Sequence, residues 1–212
     1  ACVVATYGTA ASASSNHQVS DSENGAYSTI LGRNAVAGTT GGDLSAHYFQ
    51  NTVLGSGSSG NASGGLLTSA IEAFFYEIAG ASTATALGES TGSTGSSTIP
   101  DTGDITNTVA DCFLLAAMAN QDGSNPALYG INKVGTIGTF LENTSSGRQL
   151  AGSSAQVAGT VYQILSASGS SQRHTWQSTG QPWATIMVAF NGAGAAPAVV
   201  LHHYRTLLVV GM

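Results

Sequence analysis

Short apolar runs alternate with clusters of serine, threonine and glycine along the whole chain. Three such polar clusters are GSGSSG at 55–60, STGSTGSS at 90–97 and SASGSS at 166–171. Many short apolar runs separated by turn-forming residues are typical of an all-β fold with two packed sheets. The pattern therefore predicts a β-sandwich, with candidate strands in the runs 2–7, 27–31, 46–54, 66–78, 112–118, 161–165, 183–190 and 199–210.

The run LLTSAIEAFFYEI at 66–78 is compatible with either a helix or a strand. As a helix it is only weakly amphipathic, whereas as a strand both of its faces are apolar apart from Glu72 and Glu77, as in a strand buried on both sides. Strand is favoured because the similar run WATIMVAF at 183–190 contains β-branched residues and is framed by a proline and an Asn-Gly pair. We expect core strands at 70–78 and 184–190, with Phe74 or Phe75 and Val188 pointing inward.

The chain contains an internal repeat. AIEAFFYEIAGA at 70–81 and ATIMVAFNGAGA at 184–195 begin 184 − 70 = 114 residues apart, and Tyr48 and Tyr162 are also 162 − 48 = 114 apart. The apolar runs that start at Cys2 and Cys112 are similar as well. We expect a jelly-roll or β-sandwich built from two related halves, 1–89 and 110–195. A Ser/Thr-rich bridge at 90–109 joins the halves, and a C-terminal strand or tail follows at 196–212. We expect one compact sandwich, with two small tandem sandwiches as the alternative.

Composition excludes some partners. Of the 212 residues 42% are hydrophobic, which suits a globular body, and only 8% are charged, with a net charge of −6. Five scattered lysines and arginines cannot form a basic patch, so we expect no nucleic-acid binding. No apolar run reaches 18 residues and ACVVATYG lacks the pattern of a signal peptide, so we expect neither a membrane span nor a leader in this sequence. So few charges suit an extracellular or particle-bound surface.

Cys2 and Cys112 are the two cysteines, and each lies in an apolar run. We expect both to be reduced and buried as small hydrophobic residues. A disulfide between them is the alternative, which sequence leaves open. The spacing of cysteine and histidine matches no metal motif, and adjacent His202 and His203 would point to opposite faces of a strand, so no metal site is expected.

The acidic segments predict turns rather than catalysis. DSENG at 21–25 is typical of a β-hairpin turn and lacks the spacing of a twelve-residue calcium loop. DTGD at 101–104 is also expected to form a turn, with a cation-binding loop as the alternative. The chain contains no G-x-S-x-G nucleophile motif, and Glu72 and Glu77 would lie on opposite faces of one strand rather than across a cleft. We expect no enzymatic activity and no cofactor.

Trp176 and Trp183 are the two tryptophans. Trp183 belongs to an apolar run and is expected in the core. Trp176 lies among polar residues and could face either way, and an exposed tryptophan can stack on a sugar ring. Trp176 is therefore the candidate for a glycan contact, with core packing as the alternative.

Five segments resemble a known family of β-sandwich modules. They are VSDSENGAY at 19–27, HYFQNTV at 47–53, YEIAGA at 76–81, ADCFLLAA at 110–117 and WATIMVAF at 183–190. Together they are similar to modules in structural proteins of tailed bacteriophages and in bacterial secreted proteins. This chain departs from the pattern in starting at the strand 2–7, which such modules usually precede with another strand, and in carrying an extra tail.

The resemblance implies a non-enzymatic virion protein, such as a capsid decoration (cement) protein or a minor tail or fibre component. Its partners would be the major capsid protein or other virion proteins, and its location the particle. The alternative is a carbohydrate-binding or adhesive module of a protein that is secreted or on the cell surface.

The tail PAVVLHHYRTLLVV at 197–210 has no counterpart after the first copy of the repeat. Its residues 207–210, LLVV, are continuously apolar rather than alternating, so both faces require burial. We expect it to form a missing edge strand or to pack against a neighbouring subunit, in a homo-oligomer that is a trimer or a dimer by analogy with capsids and fibres. The expected interface residues are Leu201, Tyr204, Leu207, Leu208, Val209 and Val210.

Overall fold

The computed structural model describes residues 2–9, 17–37, 40–52, 60–63, 71–120, 140–142, 148–149, 157–177, 180, 182–194 and 199–200. Every regular element in these ranges is a β-strand, which confirms the predicted all-β class. The strands of the first half of the chain are β1 (Cys2–Thr9), β2 (Gln18–Asp21), β3 (Gly25–Ala26), β4 (Ser28–Ala37), β5 (Thr40–Phe49), β6 (Gly60–Ser63), β7 (Ile71–Ile78) and β8 (Leu87–Gly95). Those of the second half are β9 (Ile105–Thr106), β10 (Cys112–Asn120), β11 (Leu141–Glu142), β12 (Arg148–Gln149), β13 (Val157–Leu165), β14 (Ser171–Gln172), β15 (Trp183–Asn191) and β16 (Val199–Val200).

Two large antiparallel sheets form the body of the protein. Sheet I has the strand order β16-β7-β1-β5-β4, and sheet II has the order β11-β13-β10-β15-β8, with β12 also paired to β13. Strands β3, β2 and β6 form a small sheet, here called the cap sheet, and β9 pairs with β14. The arrangement is consistent with the predicted β-sandwich.

Strand β10 shows why a continuous apolar run can be a strand here. All nine of its residues are buried. Successive side chains of a strand point to opposite faces, so one set packs toward sheet I and the other packs away from it. Phe113 and Leu115 belong to the core between the sheets, whereas Leu114 and Met118 belong to a second core on the outer face of sheet II. A strand covered on both faces needs apolar residues at every position.

The core between the sheets takes side chains from both. Tyr48 of β5 contacts Phe190 of β15, with ring centroids 6.3 Å apart. The Tyr76 hydroxyl of β7 and the Thr160 hydroxyl of β13 form a buried hydrogen bond across the sandwich. The buried members of this core are Leu44, Ala46, Phe74, Tyr76, Ile78, Phe113, Leu115, Ala117, Ala119, Ala184, Ile186, Val188 and Phe190.

The two repeated segments form strands β7 and β15, as predicted. Positions 66–70 lie outside the described residues. Phe74 and Val188 point into the core between the sheets, as expected. Phe75 is also buried, but on the opposite face of sheet I, beneath the cap sheet. The alternation of side chains along a strand requires that the two neighbouring phenylalanines serve different cores.

The C-terminal ends of the two repeated segments meet each other. Ala81 forms an isolated antiparallel bridge with Gly192, and the amide of Ala193 donates to the carbonyl of Gly80 at 2.8 Å. A Cβ atom on residue 192 would lie 2.0 Å from the backbone oxygen of Asp111, so only glycine fits there.

The first part of the predicted bridge is a strand. Residues 90–95 belong to β8, which pairs with β15 at one edge of sheet II. An edge strand of serine, threonine and glycine is held by backbone hydrogen bonds and needs no buried apolar side chain. A Cβ atom on Gly95 would lie 2.7 Å from the Trp183 ring, so the glycine lets that ring pack against the strand.

Candidate functional site

The clearest cluster of titratable side chains lies on the outer face of sheet I. Leu44 and Ala46 of β5 point into the core between the sheets, so the alternate residues Ser45 and His47 point outward. His17, immediately before β2, meets them from the cap sheet. The three residues are 3% (His17), 0% (Ser45) and 1% (His47) exposed, which places polar groups inside the protein.

These residues form a hydrogen-bonded chain with one shared hydroxyl. The Ser45 Oγ atom lies 2.9 Å from His17 Nδ1 and 2.8 Å from His47 Nε2. The other ring nitrogen of His47, Nδ1, lies 3.1 Å from the Thr29 hydroxyl of β4. Since β4 and β5 place Thr29 and His47 directly opposite each other, the sheet register fixes this last contact.

Burial keeps both imidazoles neutral. It lowers the pKa of His17 from 6.5 to about 4. Burial, together with repulsion from the nearby His17, lowers the pKa of His47 to about 4 as well. An imidazole that stays neutral at pH 7 can donate from one nitrogen and accept at the other, as the shared hydroxyl requires.

A serine beside a histidine that is oriented by a third group has the outline of an activated nucleophile. Ser45 is fully buried, however, and its hydroxyl contacts two imidazoles rather than open space. The arrangement is suited to joining the cap sheet to sheet I, and offers no approach to a substrate.

The Asp21 turn is the hairpin predicted from DSENG. Strands β2 and β3 pair through Asp21 and Gly25, and Gly25 has a φ of 78°. Asp21 accepts hydrogen bonds from the backbone amides of Glu23 and Asn24, and from the Tyr27 hydroxyl. Burial by itself would raise the pKa of Asp21, but these hydrogen bonds hold it below its usual value. The carboxylate therefore stabilises the turn.

The DTGD segment is also a turn. The Asp101 carboxylate accepts a hydrogen bond from the Gly103 amide at 2.7 Å, and Gly103 has a φ of 77°. Asp104 receives two hydrogen bonds from the Arg173 guanidinium, at 2.9 and 2.6 Å. The two acids are thus engaged by the backbone and by an arginine. In the part of the chain that the structure describes, no group of three or more His, Cys, Asp or Glu side chains could hold a metal ion.

Trp176 lies in the core on the outer face of sheet II. It is 2% exposed and packs in an edge-to-face contact on His174, with ring centroids 4.4 Å apart. Phe140 contacts the other side of this histidine at 4.9 Å. A ring buried in this way presents no face to a sugar, so the structure favours the core alternative for Trp176 over a glycan contact. Trp183 is buried as expected, and its Nε1 donates to the carbonyl of Ser97.

Cys112 is a free, buried thiol, and burial raises its pKa to about 11. The backbone of Cys2 lies in β1, in the other large sheet, while its side chain lies outside the described part of the structure. The expectation of a reduced, buried cysteine is therefore confirmed for Cys112, and for Cys2 it stays a prediction.

Val199 and Val200 are the residues of the tail that the structure describes. Val199 and Val200 form β16, which pairs with Ile78 and Glu77 at the edge of sheet I. The expected interface residues Leu201, Tyr204, Leu207, Leu208, Val209 and Val210 lie outside the described residues, as do His202 and His203. The described start of the tail thus adds an edge strand to the sandwich of its own chain.

Sequence reasoning missed the His17–Ser45–His47 chain. Ser45 and His47 alternate with apolar residues in LSAHYF at 44–49, which is a weak sign of a polar patch on one face of a strand. Nothing in the sequence brings His17 to them, because the two segments meet only through packing of the cap sheet on sheet I.

Comparison with protein-family models, with curated proteins and with solved structures gives no match for this chain. Among the described residues no helix is long and apolar enough to cross a membrane.

Proposed function

We propose that this chain is a non-enzymatic structural protein of a bacteriophage virion, either a capsid decoration (cement) protein or a minor tail or fibre component. The observation that carries the proposal is the position of the five family-like segments in the fold. Segment 19–27 contains the cap hairpin, 47–53 begins in β5, 76–81 begins in β7, 110–117 leads into β10 and 183–190 lies in β15. All five contribute to the layers of the sandwich, as expected if the resemblance reflects a shared fold.

The use of the polar side chains supports a structural role. His17 and His47 join two layers through Ser45, Asp21 holds a turn, and Asp101 and Asp104 hold a second turn together with Arg173. Each of these groups stabilises the fold through contacts within the chain. A protein that serves as a building block needs its polar groups for this purpose.

The proposal includes a jelly-roll or sandwich made of two related halves. Sheet I is built around β1, which pairs with β5 and β7, and sheet II is built around β10, which pairs with β13 and β15. Cys2 lies opposite Glu77 and Cys112 lies opposite Asn191, an offset of 191 − 77 = 114 that equals the repeat in the sequence. In the β1–β5 pair Cys2 lies opposite Phe49, and in the β10–β13 pair Cys112 lies opposite Leu165, an offset of 165 − 49 = 116. This offset is two residues more than the Tyr48–Tyr162 alignment. A shift of two residues keeps every side chain on the same face.

The proposed partners are the major capsid protein or other virion proteins, in a homo-oligomeric assembly that is a trimer or a dimer. The residues proposed to mediate it lie in the segment 201–212. Mass measurement in solution on the full chain and on a chain ending at Val200 tests this part. We expect the shorter chain to lose its oligomeric state or its attachment to the particle. An unchanged number of subunits together with full attachment would show that the tail is not part of the interface.

Immuno-electron microscopy tests the function itself. An antibody raised against the purified chain is applied to particles of the phage whose genome encodes it, and gold label is expected at regular positions on the capsid or the tail. The control is the same antibody after absorption with purified chain. Label confined to the host cell surface or the culture medium, with bare particles, would contradict the proposal.

A further inference from the structure

We propose that the His17–Ser45–His47 chain is an acid-sensitive latch, which holds the cap sheet on sheet I at neutral pH and releases it when both imidazoles are protonated. The inference is independent of the virion role. It rests on the hydrogen bonding of the three side chains, on their position between two layers, and on their burial.

The shared hydroxyl sets the chemical condition for the latch. A serine hydroxyl has one hydrogen and two acceptor lone pairs, so Ser45 can donate to at most one imidazole, and the hydrogen bond to the other then needs an N–H on that ring. With two neutral rings the chain is complete, since one of the facing nitrogens carries a hydrogen and the other accepts. When His47 alone is protonated, it can donate to both Ser45 and Thr29, and all the hydrogen bonds of the His17–Ser45–His47 chain can still form. When both rings are protonated, both facing nitrogens are donors, and the Ser45 hydrogen can no longer point at either.

The latch joins two layers of the fold. His17 belongs to the cap side, whereas Ser45 and His47 belong to β5 of sheet I. Among the described side chains, the apolar contact between the layers takes Val19 and Tyr27 from the cap side and Ala73, Phe75 and Phe49 from sheet I. The strands of the cap sheet are only two to four residues long. Two positive charges beneath so small a layer oppose its docking, because each ring was desolvated as a neutral group.

The charged groups on the surrounding elements do not replace the latch. On the cap side, Asp21 is engaged by Tyr27 and by the turn amides. On sheet I, Glu77 of β7 is partly exposed. Asp43 of β5 alternates with Leu44 and so shares the outer face with Ser45 and His47; its side chain lies outside the described part, as do those of Arg33 in β4, Glu72 in β7, and Cys2 and Tyr7 in β1. Among the described groups, burial lowers the pKa of His17 to about 4, and burial with repulsion from His17 lowers that of His47 to about 4.

Hydrogen exchange measured by mass spectrometry on the full-length wild-type chain tests the latch. Exchange is compared at pH 7 and at about pH 4, with labelling times scaled for the intrinsic effect of pH. We expect amides of β2, β3 and β6 to exchange at least about tenfold faster at the lower pH, while amides of β10 and β15 keep their protection. Equal protection of the cap sheet at both pH values, or loss of protection in all layers together, would overturn the proposal.

The double variant His17→Gln/His47→Gln assigns the effect to the two imidazoles. Glutamine can donate and accept hydrogen bonds but does not titrate, so the cap sheet should be equally protected at both pH values. Asp21 is unchanged in this variant. An acid effect that comes from protonation of Asp21 would therefore persist, whereas one that comes from the imidazoles would be lost. His174→Gln is the matched control: His174 is a buried histidine in the layer over sheet II and does not belong to the His17–Ser45–His47 chain, so this variant should keep the acid opening. If the folded double variant still loses protection of the cap sheet in acid, the proposal is overturned. If the double variant does not fold, the comparison of wild-type exchange at the two pH values decides whether the proposal holds.

Discussion

The outer faces of the two large sheets are covered by layers of different chemistry. Over sheet II the cover is mainly apolar: Ile105, Phe140 and Trp176 pack on alternate residues of β10, β13 and β15, with the buried His174 against the Trp176 ring. Over sheet I the cap sheet contributes a smaller apolar contact and a buried polar chain through His17 and Ser45. Apolar burial depends little on pH, whereas a chain of neutral imidazoles does. We therefore expect the sheet I side of the sandwich to lose stability in acid.

Trp176→Ala should have the largest effect, because it removes the largest side chain of the sheet II cover. Truncating a buried tryptophan costs about 3–5 kcal/mol in free energy of unfolding. Denaturant unfolding of both chains measures the loss. Leu141→Ala is the control: Leu141 is 52% exposed, and its truncation should stay within about 0.5 kcal/mol of the wild type. A loss below about 1 kcal/mol for Trp176→Ala would mean that the cover contributes little to the fold.

Acidity should weaken the sheet I side. The folded-state pKa of His47, about 4, lies below its ordinary value of 6.5, so between these values the unfolded chain binds more protons and stability falls as the pH falls. The full shift corresponds to about 3 kcal/mol for this histidine, present above about pH 6.5 and lost by about pH 4.

His47→Gln measures that contribution. Free energies of unfolding for the variant and the wild type are compared from pH 7 down to about pH 4, and the variant should lose less stability across this range. Two parallel curves would show that His47 keeps its ordinary pKa in the folded protein, which contradicts the buried hydrogen-bonded chain.

Tyr27→Phe should have a smaller effect, on the turn of the cap sheet. The variant removes the hydroxyl that donates to Asp21 but keeps the ring contact with Phe49 at 5.7 Å. A hydrogen bond to a charged acceptor is worth about 2 kcal/mol, which thermal or denaturant unfolding at pH 7 can resolve. Tyr48→Phe is the control, since the described residues offer the Tyr48 hydroxyl no hydrogen bond, and it should change stability much less. Equal losses in the two variants would show that the hydrogen bond to Asp21 adds nothing to the general cost of removing a tyrosine hydroxyl.

Arg173→Gln should have the smallest effect. The guanidinium pairs with Asp104 at 2.6 Å on the surface, where solvent and salt screen the interaction. We expect no measurable change in stability, and no difference between low and high salt. A clear loss at low salt that disappears at high salt would show that this exposed ion pair contributes to holding the turn at 101–104.

The sequence predicted the strands where burial is complete on both faces. The runs at 112–118 and 183–190 became β10 and β15 because a strand between two cores must be apolar at every position. The turn at 21–25 was also predictable, since aspartate and Asn-Gly have local conformational preferences that do not depend on the rest of the fold. The edge strand at 90–95 was not predictable, because its side chains are polar and only pairing with β15 makes it a strand.

The side-chain chemistry of the candidate site was decided by tertiary structure. Alternation along β5 determined that Ser45 and His47 share one face, but the sequence could not say that His17 would cover them, 47 − 17 = 30 residues away from His47. Trp176 lies between polar neighbours and could have been exposed; it is buried because His174 and the outer face of sheet II complete its surroundings. Local patterns specify which way a side chain points relative to its own strand. Contacts between distant segments, which depend on how the layers pack, specify what that side chain meets.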